Sequence, residues 1–217
     1  KKISIIFYLG IVLTGLTGHS ADFTSWAHMM GFRFAGYNPP GGATTLTNFP
    51  ALVVLSTNLP GFRYTDFNGI NADLRFTDST LTNELNYQIE SWDTNGSSYV
   101  WVQVPRLVNT NTFVWAFWGK SGQPVPAYTT NGATWSEGYI AVWHMSETNA
   151  LDSTSHGYNS VSSGNTNAPG LAAGAQGFNS TNASLSLGGA ASSTNAVTLE
   201  AWVKHTTVPA TIQNYVR

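Results

Sequence analysis

Hydrophobic and polar residues alternate with a period of two in several short segments of this chain. In residues 85–90 the apolar side chains share one face and the polar side chains share the other, and residues 99–104 and 113–118 repeat the pattern with valines and aromatic residues. Such alternation predicts half-buried antiparallel strands. The Asp-Thr-Asn-Gly sequence at 93–96 predicts a hairpin turn, because Asn-Gly tolerates positive φ. The pattern therefore indicates an all-β fold, an antiparallel β-sandwich.

Two segments nearer the N-terminus extend the predicted sandwich. Residues 26–37 are predicted to hold the first strand, and the nearly continuous apolar run at 49–55 is typical of a central core strand. On the strand at 113–118, Trp115 and Phe117 share one face. We predict that this face is buried inside the sandwich rather than exposed as an aromatic stripe.

The same region resembles a bacterial family, the domain of unknown function DUF2341. The resemblance rests on D-L-R-F-T-D at 73–78, L-N-Y-Q-I-E-S-W at 85–92, V-W-V-Q-V-P at 100–105 and Trp-Gly at 118–119. It covers residues 26–122 and implies a secreted or surface β domain with no assigned activity. Trp118 and Lys120 stand where the family usually has Tyr and Asn.

The C-terminal part of the chain has a second pattern. It combines an apolar strand at 140–145, a turn-rich loop at 151–159, G-A-Q-G-F at 174–178 and a strand at 197–204. This order resembles the opening of a laminin-G-like, concanavalin A-like jelly roll. Because such a fold must complete two packed sheets, the chain is predicted to hold an incomplete jelly roll that continues beyond residue 217.

These patterns divide the chain into four parts. Residues 1–21 combine two lysines, an apolar run and a small-residue end, which is typical of a signal peptide. A membrane anchor is the alternative, but the run is shorter than the roughly 20 residues of a membrane span. Residues 22–125 are the predicted DUF2341-like sandwich, 126–138 a linker rich in Pro, Gly and Thr, and 139–217 the truncated jelly roll. We therefore expect a secreted or cell-surface protein whose mature chain has no transmembrane segment.

The composition narrows the range of functions. Only 9% of the residues are charged and the net charge is −2, so no basic stripe is available for nucleic acid. The chain has no cysteine, which excludes disulfides and thiolate metal sites. The sequence also lacks the H-E-x-x-H and G-x-S-x-G motifs of common hydrolases. We therefore expect a protein that is not an enzyme.

The most promising polar set for ligand binding consists of Asp73, Arg75, Glu90 and Trp92. Asp73 and Arg75 share one strand face at positions i and i+2. Glu90 and Trp92 have the same spacing on another strand. If the two strands pair, an acid–arginine–acid cluster lies beside an indole that could stack on a sugar. The alternative, which we favour, is a salt-bridged network that fixes strand register.

Asp152 is the candidate metal ligand. It lies in a loop rich in Ser, Thr and Asn, and oxygen-rich loops suit Ca²⁺. The favoured alternative is an Asx-type turn in which Asp152 binds its own backbone. We therefore expect no cofactor, with a structural Ca²⁺ as the alternative. His144 and His156 lack metal-ligand spacing and are predicted to be ordinary surface or core residues.

The composition and the two resemblances lead to an expected function outside the cell. We expect a non-catalytic module that binds a polysaccharide or cell-surface glycan, or mediates adhesion; the glycan part rests on family analogy. One alternative is a structural spacer or protein-interaction module of a large surface protein. Another is an accessory region of a polysaccharide-degrading enzyme whose catalytic domain lies beyond residue 217.

Overall fold

The computed structural model describes residues 22–39, 44–69, 71–187 and 198–205. Regular structure in these ranges consists of β-strands and short 3-10 helices, which confirms the all-β prediction. The predicted signal peptide lies outside the described residues. Within the described ranges, no helix has the length and apolar character needed to cross a membrane.

Six strands build two antiparallel three-stranded sheets. In chain order they are β1 (His28–Arg33), β2 (Leu46–Ser56), β3 (Arg75–Thr77), β4 (Tyr87–Ser91), β5 (Ser97–Leu107) and β6 (Phe113–Trp118). One sheet has the order β1-β6-β3 and the other has the order β2-β5-β4. Strands β1, β2, β4, β5 and β6 each overlap a segment that the sequence predicts to be a strand.

Inward side chains of both sheets form one hydrophobic core cluster. Val100, Val102 and Val104 of β5 are buried in it, as their alternation with Tyr99, Trp101 and Gln103 predicts. Across the core, the rings of Phe76 in β3 and Tyr87 in β4 meet edge to face with centroids 5.3 Å apart. The two sheets therefore pack face to face, and a β-sandwich is consistent with this arrangement.

Strand β2 occupies an edge of its sheet rather than the predicted central position. Within the described residues it pairs with β5 alone, and β4 flanks β5 on the other side. An edge tolerates Pro50, which has no backbone N–H to donate. Val54 on the outward side is 40% exposed, so the apolar run does not indicate burial on both faces.

Strand β6 turns the opposite face to the core from the one predicted. Val114, Ala116 and Trp118 are buried in the core cluster, and Trp115 and Phe117 point away from it. The prediction that this face lies inside the sandwich is therefore wrong, although Phe117 is buried on the outward side. Both faces of β6 are apolar, so alternation alone does not distinguish them.

Residues 126–138, which their composition predicts to be a linker, pack closely on the sandwich. They contain the 3-10 helices Ala127–Thr129 and Ala133–Trp135, and Thr134 and Trp135 are buried. Gln103 of β5 donates hydrogen bonds to Thr134 O and Ser136 Oγ. Residues 126–138, which follow β6, therefore cover part of the outward side of the β2-β5-β4 sheet.

The C-terminal part forms two small ribbons. Strands β7 (Val161–Ser163) and β10 (Ser184–Ser186) pair with each other, as do β8 (Thr166–Pro169) and β9 (Gly174–Gly177). The strand predicted at 140–145 is reduced to a single bridge between Trp143 and Asp152, and Met145 has φ of +60°, which ends the extended run. Residues 198–205 are not in a strand, and Trp202 is 91% exposed. The second predicted strand of that region, at 197–204, is therefore not found in its described part.

Candidate functional site

Asp73 is a buried structural carboxylate. It accepts hydrogen bonds from the backbone N–H groups of Asn68, Gly119 and Lys120, at 3.1, 2.8 and 3.1 Å from Oδ2. The side chain is fully buried, so water cannot take the place of the carboxylate as the acceptor for these N–H groups. Asp73 therefore fixes the chain that follows β6 against the loop that precedes β3.

Arg75 has a similar structural role. Its guanidinium donates to the carbonyl oxygens of Ala72, Leu74 and Pro124, each at 2.7 Å. Arg75 Nε lies 3.3 Å from Glu84 Oε1, so its salt bridge is with a residue outside the predicted set. Asp73 and Arg75 thus bind separate backbone groups, and this accounts physically for the D-L-R segment of the family motif.

Trp92 is half-buried and packs against the hydrophobic core cluster. Its ring meets Tyr64 and Phe67 edge to face, with centroids 5.3 and 5.1 Å apart. Trp92 Nε1 is buried and has no hydrogen-bond partner in the described structure. The indole is therefore held by aromatic packing.

Glu90 joins a buried polar cluster on the outward side of the β2-β5-β4 sheet. Trp101 Nε1 donates to Glu90 Oε2 at 2.7 Å, and His144 Nδ1 lies 3.3 Å from the same oxygen. On its other side, His144 Nε2 lies 3.2 Å from Gln88 Oε1, which also accepts a hydrogen bond from Trp135 Nε1. We call these five residues the polar cluster. It joins the sandwich to the chain beyond residue 134.

The four predicted site residues are therefore not brought together. Strands β3 and β4 lie in different sheets, so the expected pairing between them is not formed. A β-bulge also interrupts β4: between Ile89 and Ser91 the register advances two residues on β4 and one on β5. Residues two apart across a bulge no longer share a face, which places Glu90 outside and Trp92 inside.

Asp152 organises its own loop. Oδ1 accepts the backbone N–H groups of Val142 and Thr154, and Oδ2 accepts the Thr154 hydroxyl and the Tyr158 N–H, at 2.8–3.0 Å. Partial burial raises the pKa of this carboxyl, but the hydrogen bonds outweigh it and leave the pKa below its usual range. Four donors fill the lone-pair directions of a carboxylate, so the arrangement fits the Asx-type turn and leaves no room for a bound Ca²⁺.

Other metal sites have no support in the described ranges. Within them, no group of three or more His, Cys, Asp or Glu side chains is arranged to hold a metal ion.

The outward side of the β1-β6-β3 sheet carries aromatic side chains. Phe113 and Trp115 of β6 are half-buried there, and their rings meet edge to face with centroids 5.5 Å apart. Trp115 pairs with Gly31 of β1, and three atoms of its ring lie 3.3–3.7 Å from where a Gly31 β-carbon would be. The ring therefore contacts β1 at Gly31, and a β-carbon there would displace the ring by a few tenths of an ångström. We call Gly31, Phe113 and Trp115, together with Trp26, the aromatic face.

Trp26 lies near the other end of this sheet, between two cations. The Arg75 guanidinium and the Lys120 ammonium are each 5.6 Å from its ring centroid. Phe23 stacks on Phe117 at 4.5 Å and buries it beneath the N-terminal segment. Cation–π contacts of this kind orient the Trp26 indole and give the aromatic face a basic border.

A family model described as "Domain of unknown function (DUF2341)" matches residues 71–134. This confirms the central part of the resemblance and spans β3 to the helix Ala133–Trp135. No curated protein and no solved structure matches the chain. The family description names no activity, and the jelly-roll resemblance of residues 139–217 stays a prediction.

Two structural features of the candidate sites were missed by sequence reasoning. The polar cluster depends on His144, which is distant in sequence from Glu90 and has no motif around it. The close contact of Trp115 with β1 occurs at Gly31, and a glycine in a strand pattern is the signal that could have indicated it.

Proposed function

We propose that this chain is a non-catalytic module that binds glycans or mediates adhesion outside the cell. The observation that carries the proposal is Trp115, a half-buried indole that contacts Gly31 on the side of the sheet that faces away from the core. The exposed part of this indole is available to a ligand.

The chemistry of this face suits a sugar ring. The C–H groups on one side of a pyranose form an apolar surface that packs against an aromatic ring, while its hydroxyl groups point to the edge. Phe113 adds a second ring beside Trp115 at 5.5 Å. Exposed Arg33, which pairs with Phe113, supplies hydrogen-bond donors next to the rings. An open sheet face of this kind suits an extended polysaccharide better than a small, enclosed ligand.

Affinity electrophoresis of the full chain tests the proposal. We expect slower migration in native gels that contain a soluble polysaccharide, with xylan, mixed-linkage β-glucan and galactomannan as the probes. Trp115→Ala should weaken the retardation about tenfold, because it removes the stacking surface. Gly31→Val keeps the indole but displaces it, because a β-carbon at position 31 would lie 3.3 Å from the Trp115 ring. This variant should also weaken binding.

Trp202→Ala is the matched control, because it removes a tryptophan that is 91% exposed and lies far from the aromatic face in sequence. It should leave the retardation unchanged. Equal retardation of wild type and Trp115→Ala would exclude the aromatic face as the glycan site. Unaltered migration with every probe would contradict glycan binding by this chain.

A protein-interaction or spacer role is the second candidate, and exposed apolar side chains support it. Those in the C-terminal part are Leu151, Val161, Leu171, Phe178, Leu199, Trp202 and Val203. Apolar surface of this kind commonly marks protein interfaces. Light scattering of the full chain would favour this role if the mass exceeds that of a monomer while no glycan is bound.

Export and the jelly-roll resemblance complete the proposal. The charge and hydropathy pattern of residues 1–21 supports export. The jelly-roll part of the proposal rests on the sequence pattern of residues 139–217. An accessory role beside a polysaccharide-degrading catalytic domain would use the same aromatic face.

A further inference from the structure

A cleft lies beside the polar cluster, where the β4–β5 turn approaches the β8–β9 turn. Its volume is about 550 Å³, which is within the range of small-molecule sites. The lining side chains are those of Glu90, Ser91, Asp93, Ser97, Tyr99 and Ser146. Residues 170, 173 and 174 close the opposite wall. The walls are therefore rich in carboxylate and hydroxyl groups.

Two carboxylates give the cleft a negative charge. In the described part of the chain, the Glu90 hydrogen bonds go to Oε2, which leaves Oε1 for a ligand. Asp93 Oδ1 accepts the N–H of Asn95 at 2.9 Å, and Oδ2 accepts no hydrogen bond from the described residues. No lysine or arginine lines the cleft among those residues. The imidazole of His144 is a basic group beside the cleft, and its Nδ1 lies 3.3 Å from Glu90 Oε2.

Ser91 and Ser97 give the cleft two hydroxyl groups. Both residues are half-buried, and neither side chain takes part in a hydrogen bond with the described residues. A ligand in the cleft could supply the missing partners. Ser146 also lines the cleft, but its Oγ is buried and is not open to a ligand. The half-buried ring of Tyr99 offers an apolar surface nearby.

We propose that this cleft binds a hydroxylated ligand that carries an ammonium group, which is the chemistry of an amino sugar. The ammonium would pair with the free oxygens of Glu90 and Asp93. The hydroxyl groups would pair with Ser91 and Ser97. A uronic acid or sulfated sugar is excluded, because its charge would face two carboxylates without a cation between them. This site lies on the other sheet from the aromatic face and does not depend on it.

NMR titration of the full chain tests this site with three trisaccharides as probes. They are the trimers of glucosamine, of N-acetylglucosamine and of galacturonic acid. We expect the glucosamine trimer to bind at least tenfold more tightly than the acetylated one, and the galacturonic acid trimer not to bind. Asp93→Asn should remove most of this preference, since it removes charge but keeps the oxygen that accepts the Asn95 N–H.

Three further variants make the result decisive. Ser97→Ala should weaken binding severalfold with little change in stability, because its hydroxyl makes no hydrogen bond with the described residues. Asp66→Asn removes a carboxylate outside the cleft and should change nothing. Trp115→Ala should keep amino-sugar binding, which separates this site from the aromatic face. Equal affinity for the first two trimers, equal weakening by Asp66→Asn and Asp93→Asn, or no binding at all would each overturn the proposal.

Discussion

At the scale of single residues, the charged positions of the family motif stabilise backbone rather than form a binding site. Asp73 accepts three backbone N–H groups and Arg75 donates to three carbonyl groups. Buried polar backbone must be paired, and these two side chains pair groups that no strand reaches. These two charged residues of the D-L-R-F-T-D segment therefore have a structural role.

Asp73→Ala tests this role directly. It leaves three backbone N–H groups without an acceptor at a fully buried position, so we expect a loss of about 3–5 kcal/mol in the free energy of unfolding. Urea denaturation followed by tryptophan fluorescence measures the change. Asp66→Ala, at a partly exposed carboxylate, is the control and should cost less than about 1 kcal/mol. Similar losses for the two variants would contradict the structural role of Asp73.

At the scale of elements, β6 is followed directly by Gly119, the glycine of the Trp-Gly motif. Gly119 has φ of +86°, and a β-carbon there would lie 2.7 Å from the ring of His28 and 3.0 Å from Ala27. Gly122 also has positive φ, at +72°, but nothing lies within 4 Å of its β-carbon position. A comparison of the two positions therefore separates the free-energy cost of a left-handed backbone from the cost of steric crowding.

The pair Gly119→Ala and Gly122→Ala measures these two costs. Both substitutions place an alanine in the left-handed region, at a cost of about 1 kcal/mol each. We expect Gly119→Ala to cost a further 1–3 kcal/mol or so, because His28 and Ala27 must move. Thermal unfolding of both variants gives the comparison. Equal destabilisation would mean that the packing at Gly119 relaxes freely.

The sequence predicts elements better than it predicts which residues meet. Alternation locates β4, β5 and β6, because a half-buried strand needs period two to keep one face apolar. It does not locate the bulge in β4, because no particular residue type marks the bulge in the sequence. The bulge nevertheless turns Trp92 to the side of the sheet that packs against the core. Alternation also does not distinguish the faces of β6, where both sides are apolar. The predicted turn at 93–96 does form, but neither Asn95 nor Gly96 adopts positive φ. A β-carbon at Gly96 would lie 2.5 Å from the Asp93 carboxylate, which would have to move.

At the scale of the whole molecule, the chain beyond residue 134 packs on the sandwich through polar contacts. Gln88 Nε2 donates to Ser153 Oγ at 2.9 Å, and the polar cluster continues this contact through His144 and Glu90. Asp152 then orders the adjacent loop through its four hydrogen bonds. Hydrogen bonds of this kind are weaker determinants of stability than the apolar core. We therefore expect this part of the chain to open before the sandwich unfolds.

Acid should open the Asp152 loop selectively. The hydrogen bonds to Asp152 hold its folded pKa below the usual value. A depressed carboxyl pKa contributes stability that is fully present above the unfolded value of about 4 and is lost as the pH falls through the folded pKa. Amide hydrogen exchange, corrected for its intrinsic pH dependence, should therefore show weaker protection at Thr154 and Tyr158 near pH 3 than near pH 6, while Val100 and Val102 of β5 stay protected.

Asp152→Asn separates this effect from general acid unfolding. The amide cannot titrate, so protection at Thr154 and Tyr158 should be lower than in wild type at neutral pH and nearly independent of pH. Asp66→Asn changes a carboxylate away from the loop and should preserve the wild-type profile. If the loop amides of Asp152→Asn lose protection in acid as steeply as those of wild type, a different group controls the opening. If β5 exchanges together with the loop, the sandwich and the C-terminal part unfold as one unit.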